Sequence, residues 1–422
     1  MDGYILLLAI GAMIIFGHIM GKLFDKIKLP EVTGFIIAGI IINLLFRFVF
    51  KQEDALHEAV DAFQLVITIA LSFVSFIIGT KLWKHKVKEL SKGIFPVLIL
   101  QLIFVISFTS LGFLIFKDIK FALLIGAISA ATAPAPIIEI TNKYSSRGPL
   151  TETLTAIVGF DNIIGLIYFF IIAAIVPQIG TQSFEMTPVL HAILGSLIAV
   201  GIGLVLGVAL ALFDKQAFSK YRGHEKHDSY LIVSVGIIIL AAIGSHVLTN
   251  YLPVSMQVSP FITTLILGMV FTNLTDRDTY EYETVVIGEF IPPLITAFFV
   301  IAGMELDVLQ LFSPIGLYAV IYVITHVGGK YLGAYLGTRI NPKCNEQVKN
   351  HLPKAVLTQG GFEIALAMLA AEMLGSQEIK LIVLTAVLMF EFFAPLFLTK
   401  ALHDANEVSF VPIEASPKKQ AA

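Results

Sequence analysis

The stretch IVGFDNIIGLIYFF, residues 157–170, sets an aspartate and an asparagine side by side among apolar residues. A carboxylate in such surroundings is costly, and inside a membrane span it marks a functional site by default. Three more ionisable residues interrupt apolar runs: Lys330 in THVGGKYLGAYLG, Glu363 in LTQGGFEIALAM and Glu391 in MFEFFAPLF. A partly desolvated aspartate can trade a proton for a hard monovalent cation, and hard cations take oxygen ligands. The Asp161 carboxylate, the Asn162 amide oxygen, the Thr132 hydroxyl and freed carbonyls near residues 131–133 are the oxygens of the right type. Asp161 and Lys330 sit roughly 15 Å and 12 Å from the inner ends of their apolar runs at 1.5 Å per helical residue, so their depths match. An ion pair that only fixes packing is the competing account, and a buried pair is weak evidence for stability. Four histidines, His18, His191, His246 and His326, lie in or near apolar runs. His326 is one helical turn from Lys330. Packing or helix-end roles suit these histidines better than pH sensing.

These residues need elements to hold them. The chain has 422 residues, 57% hydrophobic and 14% charged, with a mean hydropathy of +0.86. A soluble chain carries about 25% charged residues. Thirteen apolar stretches recur, at 3–23, 30–50, 63–82, 93–116, 120–140, 151–177, 187–213, 229–248, 257–275, 287–304, 314–338, 355–374 and 379–400. Most have helical membrane-span length, and short alternating strands of the β-barrel kind are absent from the pattern. The fold class expected is an all-α polytopic membrane protein of about 13 transmembrane helices. The single cysteine, Cys344, rules out an intramolecular disulfide framework and a thiolate metal cluster. No phosphate-binding glycine loop, HExxH or Cys/His metal spacing appears, so no cofactor, ATP or nucleic-acid partner is expected. The N-terminus lacks the basic region of a cleaved signal peptide. The tail at 401–422 is expected to hold no folded regulatory domain.

Lys and Arg set the orientation. Twenty-two of the 28 fall in alternate loops on one side, including the run KLWKHKVKELSK at 81–92, read as an inner loop; five fall on the other side, and Lys330 falls within a span. This predicts an outer N-terminus, a cytoplasmic C-terminus and residence in the cell inner (plasma) membrane.

Two spans carry breaking signals. Pro134 and Pro136 in GAISAATAPAPIIEI predict unwinding around Thr132–Pro136 beside Ala133, and Gly360 and Gly361 predict a second break. A simple proline kink and a close-packing glycine pair are the plainer readings of each. Together they occupy equivalent places in two triplets of opposite orientation, spans 4–6 and 11–13. That is an inverted repeat with two discontinuous helices, a pattern of secondary transporters. Where such helices cross, an aspartate can neutralise the positive half-helix ends and a lysine the negative ones. Glu363, just past the second break, can carry a proton, pair with Lys330 or cap the half-helix; Glu391 suits a pairing inside the core.

The chain resembles bacterial sodium/proton antiporters of the monovalent cation/proton antiporter superfamily. The resemblance rests on KLPEVTGFIIAGIIIN, FVSFIIGTKL, ATAPAPIIEITNKYSSRGPLTETL, SPFITTLILGMVFTN, AFFVIAGMELD, GGKYLGAYLG and LTQGGFEIALA, in that order. It implies a homodimer embedded in lipid, with a scaffold at 1–85 and 229–305, a mobile core at 92–178 and 314–400, a linker helix at 187–213 and a cytoplasmic tail at 401–422. The core would move the ion by an elevator motion. The implied ion and proton site is Asp161, Asn162, Thr132 and Lys330, with Glu363 where related members carry a core carboxylate.

One departure stands out. Electrogenic members carry two successive aspartates, the second being the main carrier; electroneutral members have asparagine and then aspartate. Here the order is Asp161, then Asn162. A natural variant that uses Asp161 alone or with Glu363, an engineered Asp→Asn change, and a protein that transports something else or regulates remain open. A single carboxylate implies one-for-one exchange of Na⁺ or Li⁺ with H⁺. A K⁺/H⁺ exchanger and a sodium-coupled organic-anion symporter are the alternative transport readings.

Overall fold

The computed structural model describes residues 3–26, 31–50, 63–82, 84–180, 185–220, 224–253, 255–275, 277–304, 313–340 and 344–408. All regular structure among them is helical. In chain order the α-helices are α1 (Gly3–Lys26), α2 (Glu31–Leu44), α3 (Gln64–Lys81), α4 (Lys84–Leu114), α5 (Ile119–Ile128), α6 (Pro134–Lys143), α7 (Pro149–Ile175) and α8 (Thr187–Lys220). They continue with α9 (His224–Thr249), α10 (Pro260–Leu274), α11 (Arg277–Met304), α12 (Pro314–Ile340), α13 (Glu346–Ala355), α14 (Gly361–Leu374) and α15 (Glu378–Asp404). Helices satisfy their own backbone groups, which is what a bilayer demands of a spanning segment. Among the described residues nine helices are long and apolar enough to cross a membrane, and four shorter apolar helical runs lie at 65–80, 119–128, 260–274 and 362–371.

Three sequence expectations need correction. The basic run at 81–92 is not a loop over most of its length, because α4 is already helical from Lys84. Lys and Glu are good helix formers, so the helix continues past its apolar part into the polar boundary. The first break lies a few residues earlier than expected. Helix α5 stops at Ile128, residues 129–130 form a turn, residues 131–133 carry no regular secondary structure, and Pro134 starts α6. Both prolines sit in the first turn of α6, where a missing N–H costs nothing. The half-helix before the second break is α13, drawn mostly from residues 346–354 that read as an inner loop. Its polar composition hid an amphipathic face that buries Val348, Leu352, Pro353 and Ala355.

The helices pack in two groups. In one, α2 lies against α1 and α11, while α10 packs between α3 and α8 and also meets α9. In the other, α4 and α12 form the most extensive pair, joined by α5, α7 and α13–α15. Lipid tails give little hydrophobic drive between helices, so close approach through small residues does the work. A Cβ at Gly329 or Gly333 of α12 would lie 2.5 Å from the Cα of Val105 or Gln101 of α4. The two backbones are therefore in direct contact on either side of Lys330.

Candidate functional site

Helix α7 carries Asp161 and Asn162, both fully buried. Its start is fixed from the far end of the chain. The Glu407 carboxylate accepts the N–H groups of Leu150 and Thr151, each at 2.7 Å, and the Thr151 hydroxyl at 2.7 Å. An anion there satisfies two orphan donors and the positive helix end. Gly148, at φ +153°, precedes the helix, and a Cβ there would collide with the Glu407 side chain.

The two breaks meet. Ala133 N–H donates to the Thr358 carbonyl at 3.1 Å, and the Thr358 hydroxyl donates to the Ala133 carbonyl at 3.0 Å. Asn162 pairs with the next peptide along. Its Nδ2 donates to the Thr132 carbonyl at 3.1 Å, and its Oδ1 accepts the Thr132 N–H at 3.4 Å. An amide both donates and accepts, which a carboxylate cannot do. The residue type at 162 therefore has a structural reason, and one Oδ1 lone pair is already committed.

Asp161 gathers the remaining groups. Its Oδ2 accepts from the Thr132 hydroxyl at 2.7 Å, from Lys330 Nζ at 3.0 Å and from Gln101 Nε2. Lys330 Nζ also donates to the Ala130 carbonyl at 3.3 Å and to the Thr132 hydroxyl. The lysine thus serves the carbonyl end of the broken α5 and the carboxylate together, both in full burial. Such a pair depends on its extra hydrogen bonds to offset desolvation. Asp161 Oδ1 accepts no hydrogen bond from the described residues.

Glu363 takes a role the sequence reading left open. Its Oε2 accepts the Gly360 N–H at 2.9 Å, so from the first turn of α14 it caps that helix back toward the second break. The positive end there is met by Glu363, not by Asp161. Glu391 is buried on α15, its Oε1 3.4 Å from where a Gly360 Cβ would stand. His326 is buried one turn above Lys330, with Nδ1 3.0 Å from Gln359 Nε2, which also donates to the Tyr322 hydroxyl at 2.8 Å. His191 meets the Ser255 hydroxyl at 2.9 Å.

A cavity of about 540 Å³ opens between α1, α2, α3, α6 and α11. His18, Lys22, Asp25 and Glu31 line its charged part, and Val74 and Ile295 its apolar part. The same Val74 and Ile295 border a small apolar pocket against Pro134 and Pro136, closed by Phe298, Phe299 and Phe362. Bulky apolar side chains thus separate the cavity from the first break.

The structure brings together Asp161, Asn162, Thr132 and Lys330, and joins the breaks at Ala133 and Thr358. Sequence reasoning missed Gln101, Thr358 and Glu407. A lone glutamine midway along the apolar LILQLIFV was the available signal for the first.

The sodium/hydrogen exchanger, transmembrane, family model matches residues 11–402. The Na(+)/H(+) antiporter ApNhaP of Aphanothece halophytica is 28% identical over 192 residues, 44% of this chain. That match spans 34% of ApNhaP, about a third of its length. The ammonium/H(+) antiporter subunit AmhT of Alkalihalophilus pseudofirmus is 23% identical over 373 residues, 86% of each chain. The fold is similar to that of the sodium proton antiporter MjNhaP1 from Methanocaldococcus jannaschii at pH 8, with a TM-score of 0.71, 17% identity and 96% and 97% of the two chains covered.

Proposed function

This chain belongs to the sodium/hydrogen exchanger family, and we propose that it exchanges a monovalent cation for H⁺ across the membrane at Asp161. The observation that carries this reading is the Asp161 carboxylate itself, fully buried where two interrupted helices meet, with one oxygen held by three donors and the other by none among the described residues.

Proton and cation compete for one carboxylate. Lys330 balances its charge when neither is bound, and the Ala130 carbonyl and Thr132 hydroxyl hold the lysine in place throughout. Thr132 supplies a hydroxyl beside the carboxylate, Asn162 holds the unwound segment in place, and Glu363 steadies the second break. The exchange is one for one, because Asn162 does not titrate. Alternating access comes from movement of the group α4–α7 and α12–α15 against the group α1–α3 and α9–α11, with α8 as the link. The charged part of the large cavity serves as the inner approach. The chain works as a homodimer through the second group, in the cell membrane, with its N-terminus outside and its C-terminus inside.

The test is dissipation of a ΔpH in everted vesicles on addition of Na⁺, Li⁺, K⁺ or NH₄⁺. Ammonium belongs in the panel because the similarity to AmhT covers most of both chains. Asp161→Asn removes the response while the protein remains in the membrane. Silence of the wild-type chain toward all four cations overturns the proposal.

A further inference from the structure

Gln101 lies midway along the apolar part of α4 and is fully buried. A side-chain amide brings two donor hydrogens and an acceptor oxygen, and burying them without partners is unfavourable. Packing alone would be met by leucine, the residue on its carboxyl side. Gln101 Nε2 donates to Asp161 Oδ2, but Gln101 Oε1 accepts no hydrogen bond from the described residues. Its backbone is pinned, since Gly333 of α12 lies directly against the Gln101 Cα. What remains soft is the terminal amide torsion, which is broad in glutamine.

Of the buried oxygens without donors among the described residues, two lie on side chains that already touch: Asp161 Oδ1 and Gln101 Oε1. One is a carboxylate oxygen and the other an amide oxygen, both hard ligands. Lys330 and Thr132 hold Oδ2. A cation at Oδ1 has no need to displace either of them. Resting on the antiport reading above, we infer that Gln101 is a direct ligand of the exchanged cation, its Oε1 and Asp161 Oδ1 forming the side of the site that faces away from the lysine's bond. When H⁺ replaces the cation, the proton resides on Oδ1 and the same amide oxygen accepts it. Both substrates then use one pair of oxygens, and the departing cation leaves as the O–H bond forms.

The experiment compares wild-type chain, Gln101→Met and Gln101→Glu in everted vesicles at fixed pH, reading half-saturating cation concentration separately from maximal rate. Methionine keeps the length and loses the oxygen. It raises half-saturation about tenfold or more, as expected for a lost contact to a charged group, and leaves maximal rate within about threefold. Glutamate returns an oxygen with charge and lowers half-saturation below the wild-type value. An unchanged half-saturation in Gln101→Met, or a fall in maximal rate alone, overturns the ligand assignment and leaves antiport standing. If Gln101→Met does not reach the membrane, Gln101→Glu decides: half-saturation equal to wild type within error, with an unchanged pH profile, overturns the assignment. A silent wild-type chain sinks the antiport reading and this one together, and that arm is read independently of the variants.

Discussion

Thr358 and Ala133 hold each other twice, through the Ala133 N–H on the Thr358 carbonyl at 3.1 Å and the Thr358 hydroxyl on the Ala133 carbonyl at 3.0 Å. They lie 225 residues apart, and each belongs to one of the two interruptions. The breaks are thus one joint. Thr358→Val keeps the shape and loses the hydroxyl, leaving the Ala133 carbonyl without that donor. The expected cost is about 1–3 kcal/mol in stability, with slower exchange. Thr358→Ser retains the hydroxyl and loses only the methyl. Thermal unfolding in detergent and vesicle assays of the two variants check this; equal behaviour of Val and Ser shows that the hydroxyl contributes nothing.

Lys330→Met leaves the Asp161 carboxylate buried beside only neutral donors. Breaking a buried pair from one side costs about 3–5 kcal/mol. Combining it with Asp161→Asn removes the stranded charge, so the double variant is more stable than Lys330→Met alone. Melting temperatures of the two single variants and the double form the cycle. Strict additivity would show that the 3.0 Å contact carries no coupling.

Glu407 caps the helix that carries Asp161 from outside the span. Glu407→Ala loses the carboxylate oxygens that accept the Leu150 and Thr151 N–H groups, at about 1–2 kcal/mol for a lost cap. Glu407→Gln keeps an acceptor and loses the charge, so it falls between Ala and wild type. The order of unfolding temperatures, wild type above Gln above Ala, is the readout.

Cys344 reports orientation. It is the chain's one cysteine and lies half-buried between α12 and α13. Burial pushes its thiol above the usual range, with Lys349 pulling it down less and Glu346 pushing it up. The thiolate is the nucleophile, so labelling is slow at neutral pH and accelerates as pH rises. With a membrane-impermeant maleimide at alkaline pH, everted vesicles label and right-side-out vesicles do not. The reverse pattern would place this loop outside.

What the sequence revealed and what it hid follow from what stands out against apolar residues. Asp161, Lys330 and Glu363 are charges where none is expected, and Pro134 and Gly360 are breakers, so the core of the site was legible. Gln101 is neutral and single, a weak signal in a 31-residue helix. The Thr358–Ala133 joint is main chain on three of its four sides, and a single threonine hydroxyl near two glycines is a weak signal. Helix α13 looked like a loop because Glu346, Lys349 and Lys354 dominate it, although Val348 and Leu352 on its other face are buried. Glu407 stood past the last span, where a polar residue attracts no attention. The missed partners are the ones that need three-dimensional proximity to acquire meaning.

The Asn162 side chain does for Thr132 what a neighbouring strand would do. Its amide mimics a peptide group and forms a two-rung ladder with the Thr132 N–H and carbonyl. Thr358 supplies the equivalent pair for Ala133. All four main-chain polar groups of these two residues are therefore satisfied without a helix, and the interruption leaves none of them bare in a medium that offers no water. Rewinding the segment would forfeit those partners, so the gap in the helix is a permanent hinge plate and not a transient melt. Amide exchange at Thr132 and Ala133 should accordingly be as slow as in the helices on either side.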